Sequence, residues 1–129
     1  MRGAAARAER RRRLGREAWS AGHRAEWTAA LWLMLKGYRI LGFRLRTVRG
    51  EADLVARRGG VLAVVEVKRR PTLDAAAAAL GPAQTERLEA VARALAARPA
   101  FRGLRVRGDI VALAPGRLPR HIRGAWTSP

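Results

Sequence analysis

The amino-acid sequence predicts a single α/β domain of three layers, in which helices cover both faces of a mixed central sheet. Three observations support this prediction. The 129 residues suffice for about one domain. Their hydrophobic patterns follow the order helix, strand, strand, strand, helix, strand. The third strand is apolar on both faces until its last three residues, which is typical of a strand that is covered on two sides.

The first helix is predicted from about Glu17 to Lys36. Most residues of this segment are strong helix formers, and Gly37 follows at the place where helices usually stop. The last two turns are apolar nearly all round, which is typical of a helix sandwiched within a core. We therefore expect this helix to be buried on most of its surface near its C-terminal end.

Three strands are predicted next, over residues 38–46, 51–57 and 61–68. The first alternates apolar and basic residues, as a half-buried strand does. The turn signals Arg49-Gly50 and Arg58-Gly59-Gly60 separate the strands. Because such short connections join antiparallel neighbours, the sheet is expected to be mixed.

Pro71 ends the third strand, and a second amphipathic helix is predicted from about Pro82 to Ala97. Four apolar residues share one face of this helix, namely Leu88, Val91, Ala92 and Leu95. A last strand is predicted over residues 104–114. Its Asp109 follows Arg107-Gly108 and is expected to be a turn or edge-strand acid.

The chain carries 27 basic and 10 acidic residues, a net charge of +17. Residues 1–16 are expected to form a disordered basic arm, residues 17–114 the domain, and residues 115–129 a basic tail. So large an excess favours a polyanionic partner, and we expect nucleic acid. The absence of cysteine excludes a disulfide framework, a thiolate zinc site and a cysteine nucleophile.

No apolar segment is long enough to span a bilayer. The longest one, from Trp27 to Leu35, is about half as long as the roughly 20 residues that a membrane helix needs. The basic N-terminal region is not followed by the apolar run of a signal peptide. We therefore expect a cytoplasmic protein that does not bind a membrane.

Charged residues interrupt the apolar pattern where the third strand ends. Glu66 and Lys68 are two residues apart, so their side chains leave the same face of the sheet. Glu51, Asp53 and Val55 are expected to share one face of the preceding strand, and hairpin pairing can bring Asp53 beside Glu66. Two such carboxylates repel each other unless a cation lies between them. The pattern therefore predicts a Mg²⁺ or Mn²⁺ site at Asp53 and Glu66, beside which Lys68 can orient a water molecule or neutralise a phosphate.

Four further polar or aromatic residues are considered with this site. Glu26, in the first helix, is expected to be buried or half-buried, and pairing with an arginine and a role at the metal site are equally open. Glu51 is more simply a salt-bridge partner for an arginine. His121 is expected to be an ordinary polar residue. Trp126 is the best placed tryptophan for stacking on a base, although packing is the commoner role.

The order of these residues resembles a known superfamily of nucleases. An acid on the first helix, an Asp on the second strand and Glu-x-Lys on the third are similar to the PD-(D/E)xK site of restriction-endonuclease-like enzymes, among which the archaeal Holliday junction resolvases have this order. Residues 22–114 resemble more closely the YraN-type family of small bacterial proteins. The matching segments are Ala25-Glu26, Gly50-Glu51-Ala52-Asp53-Leu54 and Val65-Glu66-Val67-Lys68. Ala52 stands where the superfamily motif has proline.

The resemblance implies a restriction-endonuclease-like fold and a metal-dependent endonuclease, acting on DNA that is branched or damaged. It implies that Asp53 and Glu66 bind Mg²⁺ or Mn²⁺, that Lys68 is the catalytic lysine and that Glu26 is the helix acid of the resolvase-like sites. It leaves the oligomeric state open and is compatible with a homodimer, because relatives with this site often cut two strands as symmetric dimers.

Arg69 and Arg70 directly follow the predicted site and are expected to contact the backbone phosphates of a bound nucleic acid. Two other classes of function are compatible with the sequence. One is a non-catalytic nucleic-acid-binding module that keeps a relic nuclease site. The other is a protein-interaction or assembly role, in which the positive charge would be irrelevant.

Overall fold

The computed structural model describes residues 2–126, except for the side chains of Arg2 and residues 12–22. Met1 and the last three residues of the predicted tail, 127–129, lie outside the described residues. The elements in chain order are α1 (Arg2–Leu35), β1 (Arg39–Thr47), β2 (Gly50–Arg58), β3 (Val61–Arg69), α2 (Leu73–Ala77), α3 (Pro82–Ala96), a 3₁₀ turn (Pro99–Phe101), β4 (Arg105–Leu113) and β5 (Arg120–Ile122).

The five strands form one mixed sheet in the order β1-β2-β3-β4-β5. Only β3 and β4 run parallel to each other, because α2 and α3 connect them across the sheet. The other neighbouring pairs are antiparallel. α1 packs on one face of this sheet, whereas α2 and α3 pack on the other. The predicted three-layer α/β fold with a mixed central sheet is confirmed.

β3 is covered on both faces, as its apolar sequence predicts. Leu62 and Val64 pack in the core on the side of α3, and Ala63 and Val65 pack in the core on the side of α1. All four side chains are buried. The central strand therefore carries the two cores and holds its C-terminal end, with Glu66 and Lys68, in a fixed position between the helical layers.

α1 begins at Arg2 rather than at about Glu17, so residues 2–16 are helical and not disordered as expected. This segment consists mostly of alanine, arginine and glutamate, which are strong helix formers. Gly37, with a φ of +90°, follows the end of the helix as predicted. None of the helices within residues 2–126 is both long and apolar enough to cross a membrane.

The C-terminal end of α1 is buried on one side only, which corrects the expectation of a helix sandwiched within a core. Ala29, Ala30 and Leu33 pack against the sheet and are fully buried. The opposite side is in contact with solvent, and its exposed apolar side chains are Trp27, Leu31, Met34 and Leu35. The helix covers one outer face of a three-layer domain, and nothing in the described part of the chain covers this opposite side.

Residues 115–126 belong to the domain, although the sequence analysis assigned them to a tail beyond residue 114. β5 pairs with β4. Trp126 is 4% exposed, and its Nε1 donates a hydrogen bond to the carbonyl oxygen of Asp109 at 2.9 Å. Its indole also lies against Gly108, where an added Cβ would come within 2.5 Å of the ring. Trp126 is therefore a core residue and is not available for base stacking.

Asp109 lies on β4, which has β3 on one side and β5 on the other, so it is not the turn or edge-strand acid that was expected. Its side chain is fully buried. It accepts two hydrogen bonds from Arg107 at 2.8 Å and one from the backbone N–H of Gly124 at 3.0 Å. Burial alone would raise the pKa of Asp109, but hydrogen bonds from His121 and Arg107 outweigh it and hold this pKa below its ordinary value.

His121 is part of the same buried network and not an ordinary surface residue. Its Nε2 lies 2.7 Å from Asp109 Oδ2, and its Nδ1 lies 2.6 Å from Lys36 Nζ. Because the ammonium group of Lys36 can only donate, Nδ1 accepts and Nε2 carries the proton that is given to Asp109. The network fixes the C-terminal segment to the end of α1 and to β4.

Candidate functional site

The candidate site lies where the β2–β3 ladder ends. The last paired residues are Leu54 and Val65. Beyond them, Oδ2 of Asp53 accepts a hydrogen bond from the backbone N–H of Val67 at 2.9 Å. The side chain of Asp53 thus replaces the backbone carbonyl group of β2 as the acceptor for this N–H. Asp53 is thereby fixed beside β3, and continuing the register of that last pair by one residue sets it opposite Glu66, as the hairpin prediction required.

The alternation of side chains along β2 breaks at Asp53. Leu54 packs toward α1 and Val55 toward α3, yet Ala52 also packs toward α3. The expected shared face of Glu51, Asp53 and Val55 is therefore not present. The break coincides with Arg44, which lies opposite Asp53 in the register of β1 and has a φ of +51°.

One cleft of about 440 Å³ contains every residue that the sequence analysis assigned to the site. α1 contributes Glu26, β2 contributes Asp53, and the end of β3 and the residue after it contribute the rest. The lining residues are Ala25, Glu26, Asp53, Glu66, Val67, Lys68, Arg69 and Arg70. The structure thus brings together residues that are up to 44 positions apart in the sequence, from 26 to 70.

Glu66 is 7% exposed, and its Oε1 lies 3.3 Å from Nζ of Lys68. On the other side, Gln84 of α3 places its Nε2 3.5 Å from the same oxygen. Burial and the nearby carboxylate of Asp53 raise the pKa of Glu66 to about 7, against the opposing effect of Lys68. The site therefore holds a carboxyl group that changes its charge near neutral pH.

Glu26 is 6% exposed and is paired with Arg44, whose Nε lies 3.0 Å and 3.2 Å from its two carboxylate oxygens. Burial raises the pKa of Glu26, Arg44 lowers it, and Asp53 raises it further, with a net increase. Glu26 therefore pairs with an arginine, as one of its two expected roles required, and it also lines the cleft.

Two neighbours of the site were not assigned to it from the sequence. Arg44 holds Glu26, and Gln84 approaches Glu66. The register of the β1–β2 hairpin would have placed Arg44 opposite Asp53, but no sequence pattern indicates its left-handed backbone or its reach to α1. The contact of Gln84 depends on how α3 packs across the sheet, which the local sequence does not determine.

The remaining charged residues lie around the cleft. Arg69 and Arg70 are exposed and line its edge, and Nη1 of Arg70 donates a hydrogen bond to the carbonyl oxygen of Arg69 at 2.7 Å. Glu51 forms an exposed ion pair with Arg46 at 3.5 Å and does not line the cleft, which confirms its predicted role as a salt-bridge partner.

The sequence profile of "Uncharacterised protein family UPF0102" matches residues 25–113, a range that includes the whole cleft. A UPF0102 protein of Caulobacter vibrioides is 59% identical over 113 residues, which cover 87% of this chain and 90% of the relative. One from Parvibaculum lavamentivorans is 53% identical over 113 residues, covering 87% and 85% of the two chains. A third, from a Chelativorans species, is 45% identical over 127 residues and 98% of both chains. The chain therefore belongs to family UPF0102, which confirms its resemblance to the YraN-type proteins.

Proposed function

We propose that the chain is a cytoplasmic, Mg²⁺- or Mn²⁺-dependent phosphodiesterase that cuts DNA, with branched or damaged DNA as its preferred form. One observation carries the proposal: Glu26, Asp53, Glu66 and Lys68 converge from three elements on one cleft whose edge carries two exposed arginines. The buried carboxyl groups of Glu26 and Glu66, whose pKa values are raised by burial and by the nearby Asp53, are costly to the fold, and a cation-binding function accounts for their presence.

The donor atoms of the cleft fit a hard cation. Asp53 and Glu66 would hold it, since both offer carboxylate oxygens and neither is committed to an arginine among the described residues. Within residues 2–126, no group of three or more histidine, aspartate or glutamate side chains is placed to hold an ion together. Mg²⁺ commonly binds to one or two carboxylates and completes its shell with water and substrate phosphate, so two carboxylates are sufficient.

A bound cation would stabilise the negative charge that develops on the attacked phosphate. The ammonium group of Lys68, which lies 3.3 Å from Oε1 of Glu66, would orient the water molecule that attacks the phosphorus atom. Glu26 is oriented by Arg44, which also lowers its pKa and so partly offsets the effect of burial. Arg69 and Arg70 would bind the phosphates on either side of the cut bond.

The proposal is tested by cleavage of labelled duplex, single-strand, flap and four-way-junction DNA, and of an RNA strand, with Mg²⁺, Mn²⁺ or EDTA. We expect cleavage of one or more DNA forms that requires the metal and is lost in Asp53→Asn. Glu51→Gln is the matched control, because it removes a carboxylate from the same hairpin but outside the cleft. Absence of cleavage by the parent protein on every substrate would contradict the proposal.

The second candidate is a nucleic-acid-binding module that keeps the fold without the chemistry. It is favoured by the combination of a net charge of +17 with a site in which Glu26 is already neutralised by Arg44. The two candidates differ in what the parent protein does. A binding module gives no metal-dependent product even as the parent protein, and its affinity for DNA is the same in the parent and in Asp53→Asn.

We also propose that the protein acts as a homodimer, because one site cuts one strand and a second copy is needed to cut both. The exposed apolar side chains of α1 offer the surface: Leu31 is 55% and Leu35 is 82% exposed, one helical turn apart. Analytical ultracentrifugation should give the mass of a dimer for the parent protein and of a monomer for Leu31→Lys. A monomeric parent would contradict this part of the proposal.

A further inference from the structure

A second cleft, of about 370 Å³, adjoins the candidate site. It lies between α1, the end of β3 and the segment that follows β4. Its polar lining consists of Arg24, Thr28, Arg69 and Arg117, together with apolar residues such as Leu113 and Pro115. This second cleft contains no acidic residue, in contrast to the first.

The three arginines of the second cleft carry positive charge that the described part of the chain does not neutralise. Arg24, Arg69 and Arg117 are exposed, and none of them forms an ion pair with a carboxylate among the described side chains, which do not include residues 12–22. Other arginines of the domain do: Arg44 pairs with Glu26 and Arg107 with Asp109. Three guanidinium groups around one concave surface match the oxygen atoms of a phosphate group, which they can bind in a planar, two-pronged manner.

The two clefts are continuous. Ala25 and Arg69 line both of them. On α1, Glu26 lines the first cleft and Arg24 lines the second. On β3, Lys68 lines the first cleft, and the next residue, Arg69, lies between the two. A polymer with a phosphate at Lys68 would therefore place a neighbouring phosphate of the same strand in the second cleft.

We propose that the second cleft binds an internal phosphodiester of the substrate strand, adjacent to the one that is cut. The occupant is thus a continuous nucleic-acid strand, which enters along the arginines and passes over the carboxylates. This inference rests on the proposed function, because it takes the bound strand to be the DNA that the phosphodiesterase cuts. It adds a site of binding and alignment, at which Arg24 and Arg117 hold the strand but do not touch the reacting atoms.

Because Arg24 and Arg117 lie outside the first cleft, their loss should weaken binding of the strand even in the absence of a metal ion. We expect the double variant Arg24→Gln/Arg117→Gln to bind a labelled single-stranded oligonucleotide about tenfold more weakly in EDTA at moderate salt. The plot of log K against log salt concentration should become shallower by about 0.7, the change expected when one phosphate of a single strand is no longer neutralised. Arg105→Gln is the matched control, since Arg105 is exposed at the opposite end of the parallel β3–β4 pair.

Binding and cleavage separate the failure of this inference from the failure of the proposed function. If the double variant binds as tightly as Arg105→Gln while the parent cleaves in Mn²⁺, the second cleft is not a phosphate site and the nuclease proposal stands. If the double variant binds weakly but the parent never cleaves, the phosphate site stands without a nuclease. Oligonucleotides with and without a 5′-phosphate complete the test. If the double variant binds only the phosphorylated oligonucleotide more weakly than the parent does, the second cleft binds the phosphate at a strand end, and the proposal of an internal phosphodiester is overturned.

Discussion

At the scale of single residues, the buried carboxyl group of Glu66 makes the stability of the folded protein depend on pH. Its carboxyl group is buried and its pKa in the folded protein is about 7, above its ordinary value of 4.5. The folded state therefore binds more protons than the unfolded state between these two values. The stability that the protonated form provides is fully present below about pH 4.5 and is lost as the pH rises through 7.

Glu66→Gln should remove this pH dependence, since glutamine resembles the protonated acid. In EDTA at pH 8, we expect the variant to be more stable than the parent by about 2–3 kcal/mol, from roughly 1.4 kcal/mol for each unit of pKa. At pH 4.5 the two should be equally stable. Urea unfolding at both pH values measures the difference, with Glu51→Gln as the exposed control. A variant that is less stable than the parent at pH 8 would show that the ion pair with Lys68 outweighs the cost of burial.

Arg44 has a strained backbone conformation, and its side chain forms an ion pair with Glu26. It has a φ of +51°, a conformation that costs a residue with a side chain about 1–2 kcal/mol. Arg44→Ala and Arg44→Gly both remove the ion pair with Glu26, but only glycine removes the strain. We expect the glycine variant to be more stable than the alanine variant by about 1 kcal/mol in urea unfolding. Equal stability, or a more stable alanine variant, would show that this position is not strained.

At the scale of elements, the close contact between β4 and the C-terminal segment is what integrates residues 115–126 into the domain. A Cβ at Gly108 would lie 2.5 Å from the ring of Trp126, whose Nε1 is fixed by its hydrogen bond to Asp109. Gly108→Ala should therefore destabilise the protein by about 1–3 kcal/mol through overpacking. Gly60→Ala is the matched control, because nothing lies within 4 Å of a Cβ at Gly60. Thermal unfolding that is the same for the two variants would disprove the contact.

Most elements of the fold were predictable from local patterns. The predicted bounds of β1 to β4 and α3 agree with the structure to within one residue, because hydrophobic periodicity and the glycine turns define them. β5 was missed since a strand of three residues has no pattern of its own and exists only by pairing with β4. The early start of α1 was not predicted, because repulsion between the charges of the basic run suggested disorder, whereas the helix propensity of its residues prevails.

The residues that line the candidate site were predictable from the sequence, but the residues that hold them in position were not. Spacing on β3 and the hairpin register suffice to bring Asp53, Glu66 and Lys68 together. The contacts of Arg44 and Gln84 depend on how α1 and α3 pack on the two faces of the sheet. The buried pairing of Asp109 with His121 likewise depends on the position of the C-terminal segment, which no local pattern specifies.

At the scale of the whole molecule, the net charge of +17 predicts how binding should respond to salt. Affinity for a labelled oligonucleotide in EDTA should fall by about tenfold or more between 50 and 200 mM salt, because each neutralised phosphate releases counterions. Fluorescence anisotropy over this range measures the slope. An affinity that is independent of salt would favour the protein-interaction role, in which the charge has no part.

The central claim is that Asp53, Glu66 and Lys68 form a metal-dependent site that breaks phosphodiester bonds. Single-turnover cleavage by Lys68→Ala tests it most directly, with the protein in excess and with the substrate that the parent cuts best in Mn²⁺. The account predicts a rate at least about 100-fold below that of the parent, with unchanged affinity for the substrate in EDTA. Equal cleavage rates for the parent and Lys68→Ala would contradict it.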